Sequence, residues 1–458
     1  MKLIGLRVFT SILGFGFILL SCSRKATEVA LPLTPPPSFS DAGTMELPEK
    51  WWTTFEDPQL NSIVDSALAN NFDLKTAWER LRAAHAVVER ESSGLFPDIF
   101  ANLQSGINFP QPDFRGGENT RLGLTADYEV DLWGRIRSAI DAEKYRTEAT
   151  RAEYQTAALS LSAEIVRIWY QLATAENQLA LVEEQIETNE KIVEFLEAQF
   201  GSGQIRSVDI LRQRQFLRGT YEQKVIQESR IQVLQNQLAV LVGRSPQEAG
   251  QYTAPVLPDL PPLPETGIPI ELVQRRPDVQ QAFLLVQAAD QDLASAISSQ
   301  YPRLSLSAST SLRANTVDNL FESWAYSFAG SLLTPIFYGK ELRAEVDRNE
   351  AVKQQRIYEY GQAILIAFRE VEDALIQEKK QVERIEFIEE QLELARQSYE
   401  QLQVEYFNGF SEYLDVLTAL DQEQQLRRDL LSANLALLEF RIALYRALAG
   451  SIDTGRTE

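Results

Sequence analysis

The stretch DYEVDLWGRIRSA, residues 127–139, changes its hydrophobic period halfway along. From Asp127 to Leu132 acidic and apolar side chains alternate strictly, which is the pattern of a strand with one polar and one apolar face. After Gly134 the alternation stops, and a run of helical spacing without proline follows. The segment therefore predicts a two-faced strand that leads directly into a very long helix.

The same arrangement occurs a second time in the chain, at an offset of 205 residues. This offset aligns the predicted junctions between strands and helices, which are Pro97 with Pro302 and Gly134 with Gly339. At an offset of 206, Asp209 matches Asp415. Such self-similarity indicates two copies of one structural unit. We assign the repeats to 51–253 and 271–450, joined by a Pro-rich connector at 254–270 and followed by a tail at 451–458.

Each repeat is predicted to contain a helix, two strands and a long helical hairpin. The strands are expected at 98–108 and 122–132, and again at 303–312 and 325–334. The hairpins are expected at 134–243 and 339–449. Apolar residues recur seven apart in the first hairpin, whereas Glu378 interrupts the pattern in the second. This heptad spacing predicts coiled-coil packing, and about 65 helical residues would extend for about 100 Å.

Composition excludes several classes of function. The chain has 458 residues with 44 basic and 65 acidic side chains, hence a net charge of −21, which argues against nucleic acid as a partner. Its single histidine, His85, and single cysteine leave few residues for a metal site or a nucleophilic triad. We therefore expect no metal, no cofactor and no enzymatic activity.

The amino terminus resembles a bacterial lipoprotein signal. A basic start is followed by a predominantly apolar stretch of 13 residues from Val8 to Leu20, which suits a signal peptide and is too short to span a bilayer. Leu19-Leu20-Ser21-Cys22 is similar to a lipobox, so residues 1–21 are expected to be removed and Cys22 to be acylated, with palmitate among its chains. Residues 22–50 would form an extended tether, and Ser23 favours the outer membrane. The alternative is an ordinary signal peptide that contains a cysteine.

The predicted strands have the length of strands that cross a membrane as a barrel. Four strands are too few to close a barrel, and an open edge would leave unpaired amides in lipid. Three chains supply twelve strands, which are enough for a water-filled interior. The polar face, with Asp127, Glu129 and Asp131, would line this channel, and the apolar face would meet lipid.

Four motifs in order resemble the TolC-like outer membrane factors, and most closely their NodT/OprM-type branch of efflux lipoproteins. They are WWTTFEDPQLNSIVDSALANNFDL from Trp51, DYEVDLWGRIRSA, RRPDVQQA from Arg275 and PIFYGKELRAEVD from Pro335. Lys340 stands where that branch commonly has a second glycine. The resemblance implies an α+β membrane protein: a homotrimer with a 12-stranded β-barrel in the outer membrane and a 12-helix periplasmic α-barrel. It also implies a passive exit duct for multidrug efflux, with a periplasmic adaptor and an inner-membrane pump of the resistance-nodulation-division class as partners.

By the same resemblance, the start of the last return helix narrows the periplasmic mouth. Leu414 would then form an apolar constriction, Asp415 a carboxylate ring, and Thr418 would stand where relatives often carry a second aspartate. Asp209 is the counterpart in the first repeat. Gly201, Gly203 and Gly409 would turn the hairpin tips and dock the adaptor. A purely structural alternative exists, because aspartate in a first helical turn is favoured by the helix dipole and leucine there packs.

Two other functions fit parts of the sequence. One is the same duct used for protein secretion with an ATP-driven transporter, and the other is a lipid-anchored periplasmic coiled-coil scaffold. The scaffold explains the heptads but not four two-faced strands at equivalent positions of the repeats. The sequence does not indicate which substrate is exported.

Overall fold

The computed structural model describes residues 33–106, 119–248, 257–314 and 324–456. Cys22 and the signal segment lie outside the described residues, as do 107–118 and 315–323, the connections within the two predicted strand pairs. The described residues form eight α-helices and four strands, and both repeats use the same element order.

The first repeat contains helices α1 (Pro58–Asn70) and α2 (Phe72–Ser92), strands β1 (Asp98–Gly106) and β2 (Asn119–Val130), and helices α3 (Arg135–Gly201) and α4 (Ser207–Leu241). The second contains α5 (Pro269–Arg275), α6 (Pro277–Ser298), β3 (Arg303–Ala314), β4 (Trp324–Leu333), α7 (Glu341–Phe407) and α8 (Tyr413–Leu448). The long helices α3 and α7 each have 67 residues. Short 3-10 turns occur at Trp51–Phe55, Ser93–Leu95 and Pro246–Glu248.

The chain divides into two compact units. One, here called the strand unit, comprises Glu79–Ala152 and Gln280–Ala363, and it contains the four described strands. The other, the hairpin unit, comprises Pro35–Trp78, Glu153–Val279 and Ile364–Glu458. Within the four described ranges, no helix is both long enough and apolar enough to cross a membrane.

The hairpin unit contains a core of buried aromatic side chains. Trp51, Trp52 and Trp169 are fully buried, and the ring of Trp51 lies 5.8 Å from that of Tyr445 between centroids. Asp57 connects this core to the start of α1, because its carboxylate accepts the backbone N–H groups of the first turn and the indole N–H of Trp169 at 2.7 Å. The WWTTFEDPQ motif is therefore a core and capping motif.

Several heptad positions of the first hairpin are buried, as coiled-coil packing requires. The fully buried ones include Ile165, Leu172, Ala175, Val182 and Leu196. Helices pack along such a stripe because removing apolar surface from water stabilises the fold by about 25 cal/mol per Å² buried.

The four strands form one antiparallel sheet in the order β1-β2-β3-β4. Strand β2 extends from 119 to 130, so it begins earlier and ends earlier than the predicted span of 122–132. Leu132 and Asp131 therefore lie beyond its end. Pro97 and Pro302 immediately precede β1 and β3, as expected of a residue that cannot continue a helix.

Candidate functional site: a two-faced sheet and the tips of two hairpins

The strand register keeps apolar side chains on one face of the sheet. Tyr128 lies opposite Leu306, which lies opposite Gly330, and Val130 lies opposite Leu304, which lies opposite Leu332. The other face is polar: Asp127 lies between Asp98 and Ser307, and Glu129 lies opposite Ser305. A slip of one residue in any pair would mix the two faces. Asp127 and Glu129 thus share one face of the sheet.

Both outer strands of the sheet are open. Every residue of β1 and of β4 is exposed, including the large apolar side chains Ile99, Leu103, Tyr326, Phe328 and Leu332. Such a strand presents a row of unpaired backbone N–H and C=O groups at its edge and an exposed apolar surface on its face. One chain therefore leaves this sheet incomplete.

Asp131 does not belong to the polar face that we predicted for it. Its carboxylate accepts the backbone N–H groups of Ile136 and Arg137 at 3.1 and 3.0 Å, and the guanidinium of Arg137 also donates to it. The first N–H groups of a helix have no partner within the helix, so a carboxylate is favoured there. Glu129 pairs with Arg135 at 2.9 Å. The acidic run of the motif therefore divides into a strand part and a helix-capping part.

The second strand–helix junction contains a strained residue. Gly339 and Lys340 both have positive φ angles, of +57° and +75°. Left-handed backbone costs little for glycine, whereas it is unfavourable for a residue with a Cβ. This explains why a second glycine is common at this position in the branch that the sequence resembles.

Contacts between polar side chains join the two hairpin tips. The Tyr413 hydroxyl donates to Oε1 of Gln213 at 2.6 Å, and the Tyr406 hydroxyl donates to Oε1 of Gln199 at 2.9 Å. Arg206, in the turn before α4, lies 3.4 Å from Glu412, in the turn before α8. We call these three contacts the tip links. A small apolar cluster of Leu196, Ile210 and Tyr413 supports them, with four partly buried residues packed against it, which are Ile192, Ile205, Tyr406 and Leu417.

The four predicted gate residues have different environments. Leu414 is 41% exposed and Asp415 is exposed, whereas Asp209 is only 4% exposed and contacts Arg206 and Arg212 at 3.5 and 3.8 Å. Asp415 accepts the backbone N–H of Glu412, and the Thr418 hydroxyl donates to the Leu414 carbonyl. Asp209 is therefore a buried anchor for arginines, whereas the exposed carboxylate of Asp415 caps the start of its own helix α8.

Leu414 and Thr418 lie on one wall of a groove of ≈ 570 Å³ between α4 and α8. Arg212, Phe216 and Gly219 belong to its other wall. Two predicted gate residues thus share a surface with α4, the equivalent helix of the first repeat.

The pKa values of three side chains in the tip links are raised. Burial raises the pKa of the Tyr413 hydroxyl well above its ordinary value, and the neighbouring Tyr399, Tyr406 and Asp209 raise it further. Burial and then Asp209 likewise raise the pKa of Tyr406. The charge of Asp209 raises the pKa of Arg206. Both tyrosines therefore remain neutral hydrogen-bond donors, and Arg206 remains charged, throughout the physiological pH range.

The predicted tip glycines have two different conformations. Gly203 and Gly409 have φ angles of +78° and +76°, so each turn uses a backbone shape that suits glycine. Gly201 is the last residue of α3 and is not among the residues with positive φ.

Two buried arginines hold the hairpin unit together, and sequence reasoning missed both. Arg441 pairs with Glu378 at 2.6 Å and donates to the carbonyls of Pro261 and Pro262 in the Pro-rich connector. Arg276, of the RRPD motif, pairs with Asp278 and Glu370 at 2.7 Å each. Burial alone would raise the pKa of Asp278, but the paired Arg276 outweighs it and the net shift is downward. The interrupted heptad at Glu378 was the available signal for the first pair.

The tip links were also missed. Gln213, Tyr406 and Tyr413 occur at spacings that resemble ordinary helix packing, so nothing in the sequence distinguished them. Within the described part of the chain, no group of three or more His, Cys, Asp or Glu side chains is arranged to hold a metal ion.

Comparison with known proteins agrees with this geometry. The chain is 27% identical over 447 residues to the pyoverdine export outer membrane protein OpmQ of Pseudomonas putida, covering 94% of this chain and 95% of that one. It is 25% identical over 435 residues to the cation efflux system protein CusC of Escherichia coli O6:H1, covering 92% and 93%. Among solved structures, the outer-membrane channel OprN superposes with a TM-score of 0.84 at 26% identity, covering 93% of this chain and 99% of that one.

A family model described as outer membrane efflux protein matches residues 63–244 and 268–450. These similarities confirm the predicted TolC-like fold, the outer membrane location and the function as an efflux channel. The chain belongs to the outer membrane efflux protein family.

Proposed function

We propose that three copies of this chain form the exit duct of a tripartite efflux system. The observation that carries this proposal is the incomplete sheet, which has two open edges and one continuous apolar face. Three copies would supply twelve strands, with the face of Asp127 and Glu129 toward a water-filled interior and the face of Tyr128 and Val130 toward lipid. The long hairpins of three copies would continue this duct as a 12-helix α-barrel in the periplasm.

The duct performs no chemistry of its own. An inner-membrane pump of the resistance-nodulation-division class supplies the energy, and a periplasmic adaptor docks on the tips around Gly201, Gly203 and Gly409. OpmQ is named for pyoverdine export and CusC for cation efflux, although both are similar to this chain to nearly the same degree. We therefore place the choice of substrate in the pump and the adaptor, and we keep a protein-secretion duct and a periplasmic scaffold as alternatives.

The tips act as the gate. Exposed Leu414 and Asp415 form the constriction with Thr418 beside them, and Asp209 acts indirectly because it holds Arg206 and Arg212. The tip links keep the two hairpins of one chain together. Each of the two hydrogen bonds contributes about 0.5–1.5 kcal/mol net, and the exposed ion pair of Arg206 with Glu412 contributes little, so a docking adaptor could exchange these contacts at low cost.

Gene deletion followed by a susceptibility panel of antibiotics, dyes and metal salts tests the efflux role. We expect increased susceptibility to at least one group of compounds, with restoration by the wild-type gene. An unchanged susceptibility profile together with loss of an exported protein would contradict the proposal.

Acylation of Cys22 is part of the same proposal. Several acyl chains on one residue would hold the tether stably at the membrane. Incorporation of labelled palmitate into the wild-type chain, and its absence from Cys22→Ser, is the expected result. Equal labelling of both chains would contradict it.

A further inference from the structure

The two repeats differ at the junction where the sheet leads into the long helix. Both long helices have 67 residues, and Arg137 and Arg343 are each the third residue of their helix. The residue three positions before the junction glycine is Asp131 in the first repeat and Ile336 in the second. Lys340 is an additional residue that has no counterpart in the first junction. The second junction therefore keeps the arginine, gains a lysine and lacks the acid.

The arginine of the first junction is neutralised, whereas the cations of the second are not. The guanidinium of Arg137 lies 3.0 Å from the Asp131 carboxylate and also donates to the Asp131 carbonyl. Lys340 and Arg343 are exposed, and among the described residues no carboxylate forms an ion pair with either of them. Glu341 lies between them in the sequence and has no ion pair in that part of the chain either. The second junction thus has a net positive charge, although the chain as a whole is acidic.

Large apolar side chains lie beside these cations. Lys340 and Arg343 line a surface pocket of ≈ 110 Å³ together with Ile336, Phe337 and Tyr338. Ile336 is 94% exposed and Phe337 is 87% exposed, so each presents nearly its whole side chain to the surroundings in the single chain. Two cations beside exposed apolar groups match a ligand that carries both an anion and a hydrocarbon part.

The sequence from β4 to α7 changes in polarity in the same order as a bilayer. Phe328 and Leu332 belong to the apolar face of the sheet, and Ile336 lies at the same alternation beyond the end of β4. Tyr338 comes next, and tyrosine favours the boundary between hydrocarbon and headgroups. The two cations follow, and the long side chains of lysine and arginine extend their charged ends to the headgroup layer.

We propose that this pocket binds the phosphate of an anionic phospholipid, with the acyl chains against Ile336 and Phe337. The inference rests on the proposed function, because it requires the apolar face of the sheet to lie in the bilayer and the long helices to lie in the periplasm. It assigns the site to the periplasmic leaflet, with one phospholipid for each chain. The first junction offers no such site, because the Asp131 carboxylate already pairs with Arg137.

The strained backbone of Lys340 agrees with a binding role. Its φ of +75° suits glycine, so a lysine there raises the free energy of the chain without ligand. Such strain persists where the side chain supplies something that glycine cannot. Here the side chain supplies a second cation, and each cation near a lipid surface adds to the attraction of an anionic headgroup.

Native mass spectrometry of the purified full-length protein in mild detergent tests this site, because it counts the lipids bound to each assembly. The protein is stripped of lipid and then titrated with phosphatidylglycerol. The test variant Lys340→Gln/Arg343→Gln removes both cations and keeps a side chain at the strained position. The matched control Arg348→Gln/Arg356→Gln removes the same charge from the same helix, and it breaks only two surface ion pairs.

We expect one phosphatidylglycerol per chain to bind the wild type and the control at the same lipid concentration. The test variant should require at least about tenfold more lipid, because it lacks both cations. Zwitterionic phosphatidylethanolamine should bind the wild type more weakly than phosphatidylglycerol. Inorganic phosphate at a concentration equal to that of the lipid should not displace it, because phosphate has no acyl chains to contact Ile336 and Phe337.

Three results would overturn the site. They are equal binding by the test variant and the control, equal affinity of the wild type for the two lipids, and displacement of the lipid by inorganic phosphate. If trimers nevertheless conduct current in planar bilayers, the duct stands and only the lipid site is wrong. Single chains that carry no current would overturn the proposed function, and the lipid site with it.

Discussion

The aromatic core and the hairpin tips hold the same helices together by different means. At the core, Trp51, Trp52 and Trp169 are fully buried among apolar side chains. At the tips, only three residues of the apolar cluster are buried, and hydrogen bonds and an ion pair add to the packing. Separating buried apolar side chains leaves a cavity, which destabilises the fold. A polar contact, in contrast, can be replaced by a hydrogen bond to water or to a partner protein.

This difference indicates that, within the same pair of hairpins, the aromatic core is the fixed part and the tips are the movable part. A duct needs a wall that does not deform and an end that opens. The core stabilises the wall, and the tip links hold the end in a state that a docking protein can change at low cost.

Truncation of a core tryptophan should have the largest effect on stability. Trp51→Ala removes a fully buried indole beside Trp52 and Tyr445 and should destabilise the fold by about 3–5 kcal/mol. Thermal unfolding followed by circular dichroism measures the loss. The matched tip variant Phe410→Ala truncates an aromatic side chain that is 83% exposed and should stay within about 0.5 kcal/mol of wild type. Equal losses in the two variants would remove the contrast.

Breaking the buried pair of Arg441 and Glu378 should cost nearly as much. Arg441→Met leaves the Glu378 carboxylate buried without its partner, which costs about 3–5 kcal/mol. The double variant Arg441→Met/Glu378→Leu restores an apolar heptad position and should recover most of that loss in the same unfolding measurement. If the double variant is as unstable as the single one, the carbonyl contacts of Arg441 to the connector matter more than the ion pair.

Weakening the tip links should change conduction more than stability. Tyr413→Phe removes the hydrogen bond to Gln213 and costs about 1–3 kcal/mol, while single-channel current in planar bilayers should increase several-fold. Tyr170→Phe is the matched control, since the Tyr170 hydroxyl is buried in the core and has no hydrogen-bond partner in the described ranges. An increased current in the control, or an unchanged current in Tyr413→Phe, would contradict the assignment of the gate.

Relief of backbone strain at the strand–helix junction should have the smallest effect. Lys340→Gly places glycine at a φ of +75° and should stabilise the protein by about 1 kcal/mol, whereas Lys340→Ala keeps the strain and should bring no gain. Chemical unfolding of both variants measures the difference. No advantage of glycine over alanine would show that other contacts of Lys340 compensate for the strain.

Periodicity and repeats were sufficient to predict most of the architecture. Strict alternation around Tyr128 and heptads around Leu172 report on burial, and burial is what determines both elements. The end of β2 was wrong because Asp131 continues the alternation while its carboxylate binds N–H groups of the next helix. The tip links could not be predicted, because they join residues far apart in sequence whose types are ordinary for helices. The burial of Asp209 was not predicted, because its position in the first turn of a helix does not reveal what packs against it.

The central claim is that the incomplete sheets of several copies together form a conducting channel. Single-channel recording of the purified full-length protein in a planar lipid bilayer tests this directly. We predict discrete current steps of uniform size from the wild-type protein, with larger steps for Tyr413→Phe at the same voltage. Folded protein that inserts into the bilayer and carries no current, in wild-type and variant form alike, would contradict the account.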